Sequence, residues 1–98
     1  MDKVLYYNNL FSIYQKLLTL KEQNIFSLYY EENLSLSEIA ENLGISRSAV
    51  GNTVKTVEKK LQNYENLLQV LTKNEILKEC LKEVKEKELQ ERITKILS

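Results

Sequence analysis

The chain has 98 residues, with fourteen Lys+Arg balanced by fourteen Asp+Glu, no histidine, no proline and a single cysteine, Cys80. That is the length of one small domain, which removes about 65% of its unfolded surface from water and needs no disulfides to fold. A lone cysteine without histidine excludes a disulfide framework, a structural zinc set and Cys/His nucleophilic chemistry, so no catalytic residue, metal or cofactor is expected and the protein reads as a non-enzyme.

Apolar residues recur at three and four and never alternate for long, so the chain reads as all-α. Val4, Tyr7, Leu10, Phe11, Tyr14, Leu17 and Leu18 form the stripe of a first helix of roughly four turns. Thr19-Leu20-Lys21-Glu22 has the form of a capping box, in which hydroxyl and carboxylate each accept from an otherwise orphan amide, and it opens a second helix. That helix carries Ile25, Phe26, Leu28 and Tyr29 and is expected to fray near Glu31-Glu32-Asn33. Ser35-Leu36-Ser37-Glu38 is a second box, with Leu34 and Ile39 as a hydrophobic staple. Gly44 suits the left-handed residue that ends this third helix, and Ser46 caps a fourth that starts at Arg47, with Ile45 and Val50 repeating the staple. Thr72-Lys73-Asn74-Glu75, flanked by Leu71 and Ile76, reads as a third box, which ends the fourth helix near Leu71 and starts a fifth. Met1-Asp2-Lys3-Val4 lacks the basic and apolar regions of a signal peptide, and no apolar run approaches a membrane span. A cytoplasmic protein without membrane insertion is expected.

Leu36 to Val54 carries the functional signal. A short capped helix, Gly44-Ile45-Ser46, then a second capped helix is helix-turn-helix grammar, with Ala40 small where the helices cross and Gly44 four residues later at the turn. Such a unit reads DNA by laying the exposed N-terminal half of its second helix in the major groove. The expected face is Arg47, Ser48, Asn52, Lys55 and Lys59: a guanidinium fork for guanine, an amide for adenine, and lysines, Lys60 among them, for phosphates. Gly51 falls in the same stretch and offers no side chain to a base. The neutral total conceals segments of opposite sign. Met1–Leu20 carries +1, Lys21–Asn42 −4, Leu43–Asn63 +3, and Tyr64–Ser98 seven charges of each sign. DNA and RNA are both candidate partners, and the acidic −4 segment beside the basic one keeps a protein partner open.

Thr19-Leu20-Lys21-Glu22-Gln23 and the run from Leu34 to Val50 resemble region four of bacterial sigma factors. Asn9-Leu10-Phe11-Ser12-Ile13-Tyr14-Gln15-Lys16-Leu17-Leu18-Thr19, Leu28-Tyr29-Tyr30, Glu58-Lys59-Lys60-Leu61 and Tyr64-Glu65 resemble more closely the bacterial YlxM family of small helix-turn-helix proteins. The resemblance spans roughly Asn8 to Leu67 and differs from the family pattern at Gly51-Asn52 and Thr56. It implies a regulatory or accessory role in the signal recognition particle pathway. DNA binding through the helix from Arg47 is one expectation. The other is a non-enzymatic module that docks on the targeting GTPase or its RNA complex.

Towards the C-terminus, Ile76, Leu77, Cys80, Leu81 and Val84 fall on one face at 100° per residue, and Leu89, Ile93, Ile96 and Leu97 nearly opposite. Lys85-Glu86-Lys87-Glu88 marks the crossover, where either the helix breaks or one half packs on its own domain and the other on a second chain. Glu83 with Lys87, Glu88 with Arg92 and Glu91 with Lys95 are pairs four apart that favour a continuous helix, one half on its own domain and the other on a second chain. The expectation is a five-helix all-α domain with a sigma region four-like helix-turn-helix over residues 1–72 and a C-terminal helix over 73–98, part of the same domain or a homodimer interface. Cys80 is expected as a small buried hydrophobe, Tyr7, Tyr14 and Tyr29 as core residues, and Tyr6, Tyr30 and Tyr64 at the surface.

Overall fold

A computed structural model describes residues 2–82 and 87–97, the side chains of 87–90 excepted. Among the described residues the protein is all-α, with six helices rather than five. Helix α1 (Lys3–Tyr14) buries Tyr7, Leu10, Phe11 and Tyr14. It ends about a turn earlier than its apolar spacing predicts, because Gln15–Leu17 tighten into a 3-10 turn that buries Leu18 and leaves Leu17 at the surface, as Val4 also is. Helix α2 (Leu20–Tyr30) starts at a complete capping box, with the Glu22 N–H donating to Thr19 Oγ1 at 3.1 Å and the Thr19 N–H to Glu22 Oε1 at 3.0 Å. Its end is closed rather than frayed: Asn33 adopts φ 58° and the Leu34 N–H reaches back to the Leu28 carbonyl, which satisfies an otherwise orphan acceptor.

Helix α3 (Leu36–Leu43) opens on the Ser35–Glu38 box and stops at Gly44, φ 68°. Helix α4 (Arg47–Leu68) follows, capped by Ser46 Oγ, which accepts the Ala49 N–H at 3.0 Å. This helix is the spine of the fold, packed against α1, α2 and α3. Its Val50, Val54, Val57 and Leu61 meet Leu10, Ile25, Phe26 and Ile39 in one core, and each fully buried side chain of this size contributes about 1.5–3 kcal/mol. Phe26 stacks on Tyr30 with ring centroids 4.5 Å apart. Tyr30, expected at the surface, is therefore buried, and Tyr29 beside it is only half-buried. The Tyr30 hydroxyl donates to Glu58 of α4; burial first, and that carboxylate second, hold its pKa well above the usual tyrosine range.

The expected third capping box does not form. Helix α4 ends at Leu68, Gln69 turns with φ 53°, and α5 (Val70–Leu81) begins before Thr72, which lies inside it. The first amides of α5 are instead capped by Glu65, one turn back in α4. Its buried carboxylate accepts the Leu71 N–H at 3.1 Å, the Thr72 N–H and hydroxyl at 3.1 Å each, and the Tyr14 hydroxyl at 2.8 Å. Tyr14 Oη in turn accepts the Val70 N–H at 3.2 Å. Burial pushes the Glu65 carboxyl up, but the donors from Tyr14, Leu71 and Thr72 outweigh it and hold the pKa below the ordinary carboxylate value. A helix N-terminus adds to this, since its dipole favours negative charge.

The C-terminal segment is two helices, not one. Helix α6 (Lys87–Leu97) packs beside α5, and Lys78, Leu81, Thr94 and Leu97 line one cavity of about 160 Å³. A continuous helix would hold Lys78 and Leu97 about 28 Å apart; here Leu81 and Leu97, one from each apolar stripe, line the same cavity. Residues 83–86 of the crossover, with Val84 and Glu83, and the side chains of Lys87, Glu88 and Leu89 lie outside the described residues, whereas Glu91 and Lys95 make no ion pair with each other. Cys80 is exposed, contrary to expectation, because α5 buries none of its residues fully and turns Ile76, Leu77 and Cys80 away from its own chain.

Replacing Glu65 with Ala removes four accepted hydrogen bonds and leaves part-buried amides and the buried Tyr14 hydroxyl without that acceptor, so thermal or denaturant unfolding is expected to show a loss of about 2–3 kcal/mol. Glu22 and Glu65 both titrate below the ordinary 4.5 in the folded protein. Their contribution is thus present above that pH and lost as the pH falls through the lowered values. Glu65→Gln is expected to be less stable than the wild type at neutral pH, with the gap narrowing in acid, as read from paired melting curves.

Candidate nucleic-acid interface

Helices α3 and α4 with the three residues between them make a helix-turn-helix whose angle is fixed from inside. Ile39 and Ala40 of α3 and Val50 and Val54 of α4 are buried, Leu36 and Ile45 pack against them, and the Ile45 N–H bonds to the Ala40 carbonyl at 3.1 Å. Gly51 belongs to this contact and not to the outer face: a Cβ added there would sit 3.7 Å from Leu36 Cδ1. The glycine is therefore no gap in a row of base-reading side chains. Thr53 also turns inward, its hydroxyl donating to the Ala49 carbonyl at 3.0 Å.

With the apolar side of α4 committed, the opposite side follows from helix geometry. Ser48, Asn52, Lys55 and Lys59 share the exposed face, with Arg47 exposed at the first helical position. The row from Ser48 to Lys59 is about 16 Å long, three turns of helix. It suits a major groove about 12 Å wide. Arg47, Lys55 and Lys59 make no ion pair among the described residues, which leaves their charge free for an external partner. Thr56, which the sequence did not single out as a contact, is exposed beside Asn52; its position on the wheel was the available signal.

Lys60, expected to serve phosphates, is withdrawn from the site. Its ammonium bonds Glu22 Oε2 at 2.7 Å. The same carboxylate caps α2 through its other oxygen, so it is shared between a helix start and a cross-helix pair. Burial raises the Glu22 pKa, but Lys60 and Thr19 together bring it below the usual range. Lys60 is correspondingly held above its ordinary value by this bond. No group of three or more metal-ligating side chains occurs among the described residues, and none of the described helices is long and apolar enough to cross a membrane.

A family model described as "Putative helix-turn-helix protein, YlxM / p13 like", the UPF0122 family, matches residues 1–97. The chain belongs to this family. It is 45% identical over 86 residues to the UPF0122 protein BH2485 of Halalkalibacterium halodurans, covering 88% of this chain and 79% of that protein. It is 42% identical to the UPF0122 protein YlxM of Bacillus subtilis, over 88% of this chain and 78% of the relative. A UPF0122 protein of Streptococcus gordonii shares 42% identity over 82% of this chain and 73% of its own length. The helix-turn-helix in the UPF0122 description corresponds here to α3, the turn at Gly44 and α4.

Because a Cβ at position 51 meets only ordinary van der Waals contact, Gly51→Ala is expected to stabilise the fold by about 0.5–1 kcal/mol. The midpoint of urea unfolding checks the sign, and an unchanged or lowered midpoint would place the α3–α4 crossing closer than described.

Proposed function

We propose that this protein is a cytoplasmic, non-catalytic regulator that binds nucleic acid, duplex DNA in the first instance, by placing the outer face of α4 in the major groove. The observation that carries this reading is the unpaired, exposed row Ser48, Asn52, Lys55 and Lys59, with Arg47 at its head, on the second helix of a rigidly packed helix-turn-helix. In this reading Arg47 and Asn52 read base edges, each well-formed bidentate contact being worth about 1–3 kcal/mol of discrimination. Ser48 assists, and Lys55 and Lys59 hold phosphates. Only a few cations face outward, so the salt dependence is modest: about 0.9 of a log unit in affinity per log unit of salt for each phosphate contacted.

The acidic stretch from Lys21 to Asn42, with five Glu against one Lys, favours a second reading. With Glu22 buried and paired to Lys60, the exposed Glu31, Glu32, Glu38 and Glu41 against Lys21 still leave an acidic surface; beside a basic row it suits a protein with both charges, and the YlxM resemblance suggests the signal recognition particle GTPase or its RNA complex as that partner. In this reading α4 is a docking face, and no duplex is bound.

A gel shift across a salt series and a pull-down with the targeting particle, run on one preparation, separate the two. For DNA binding, Lys55→Ala is expected to weaken affinity on all sequences and flatten the salt slope by about one contact, and Arg47→Ala to relax preference at one base position. A retained particle with no shifted duplex at any salt would replace the first reading with the second.

A further inference from the structure

The chain exposes more surface than its mass warrants. A folded monomer of 11.5 kDa is expected to present about 5,800 Å², and this one presents 7153 Å². Its radius of gyration is 16.7 Å, against about 12.6 Å for a compact chain of this length. The principal extents, 54 × 25 × 23 Å, agree with an arm standing off a compact body. The excess of roughly 1,300 Å² exceeds the approximately 800 Å² per partner that a standard interface buries.

That arm is α5 with α6. Helix α5 has twelve residues, none of them fully buried, a length at which an isolated helix is marginal in water. Its outward side carries Ile76, 58% exposed, Leu77, 47% exposed, and Cys80, along an open groove of about 500 Å³ lined by Thr72, Glu75, Ile76, Glu79 and Cys80. On α6, Ile96 is 82% exposed. Scattered apolar residues on a surface are ordinary, but here they fall on the outer half of α5, beyond Val70 and Leu71, the residues that pack it on the core.

We propose that this face is covered by a second copy of the chain, packing α5 and α6 of the two protomers into a four-helix bundle around a two-fold axis near Ile76 and Leu77. The segment from Tyr64 to Ser98 carries seven charges of each sign, so two copies meet without net repulsion. A polyanion gains nothing there. In an antiparallel contact of α5 with its copy, Lys73 at one end of the stripe lies opposite Glu79 at the other, an exposed carboxylate that pairs with Lys82 at 3.2 Å within the protomer, and the symmetry makes that juxtaposition twice. The excess surface of the whole chain is larger than one side of such an interface, and a four-helix bundle closes apolar faces on both α5 and α6. The contact holds whether or not α4 binds nucleic acid.

Light scattering on the eluted full chain, over a range of concentrations, is expected to give twice the protomer mass. The double variant Ile76→Glu with Leu77→Lys is expected to give the protomer mass with its far-ultraviolet helical signal retained, since both side chains already face solvent in the protomer. Leu20→Glu, at a residue 83% exposed on the body rather than the arm, is expected to stay dimeric. A wild-type protein that remains at the protomer mass at every concentration overturns the proposal. So does a dimer that survives the double variant, or one that Leu20→Glu alone dissociates.

Discussion

The carboxylate of Glu65 is the joint on which the described architecture turns. A buried charge is costly unless its lone pairs are filled, and here donors from two distant parts of the chain fill them: the Tyr14 hydroxyl of α1, and the amides and hydroxyl at the start of α5. Each contact alone is a modest hydrogen bond. Together they attach α1 and α5 to α4, and they do so without a basic partner because the opening amides of a helix already supply positive potential. The same group thus begins one helix and anchors another to the helix that carries it.

The rest of α4 is held by the same economy of means. Leu61, Val57, Val54 and Val50 bind it to the core, and two side-chain bridges, Lys60 to Glu22 and Tyr30 to Glu58, tie its inner flank to α2. These bridges sort the charges of the helix. Lys60 and Glu58 are spent on the fold, whereas Arg47, Lys55 and Lys59 remain outside. The basic character of Leu43–Asn63 is consequently displayed on one side of the helix, which a count of charges along the chain does not convey. A solvent-facing row on a rigid helix is preorganised, so a groove that receives it need not pay for ordering the backbone.

What was legible from the residues was mostly local. The boxes at Thr19 and Ser35, the left-handed Gly44 and the Ser46 cap all have their partners within about one turn, and the exposed row on α4 follows from 100° per residue once the apolar side is known. What was not legible depended on groups far apart in sequence. Thr72-Lys73-Asn74-Glu75 has the letters of a capping box, yet a carboxylate in the preceding helix reaches those amides first. Nothing near Lys60 announces that its partner is thirty-eight positions away, and Gly51 resembles a missing contact until Leu36 is found against it. Cys80 follows an apolar stripe whose cover the chain itself does not provide, so periodicity alone reads it as core. The packing of α6 beside α5 was not legible, because the surface charge pairs four apart favoured one continuous helix.

Gln69 gives the junction between body and arm a further property. A residue with a Cβ held at φ 53° has few neighbouring conformations of similar energy, whereas glycine there would have many. The elbow therefore has essentially one setting, held by the Glu65 bonds to Leu71 and Thr72, and α5 leaves the body in one direction. In a symmetric pair of chains this one backbone angle would set how far apart the two α4 helices stand, turning a local torsion into a ruler for whatever they grip.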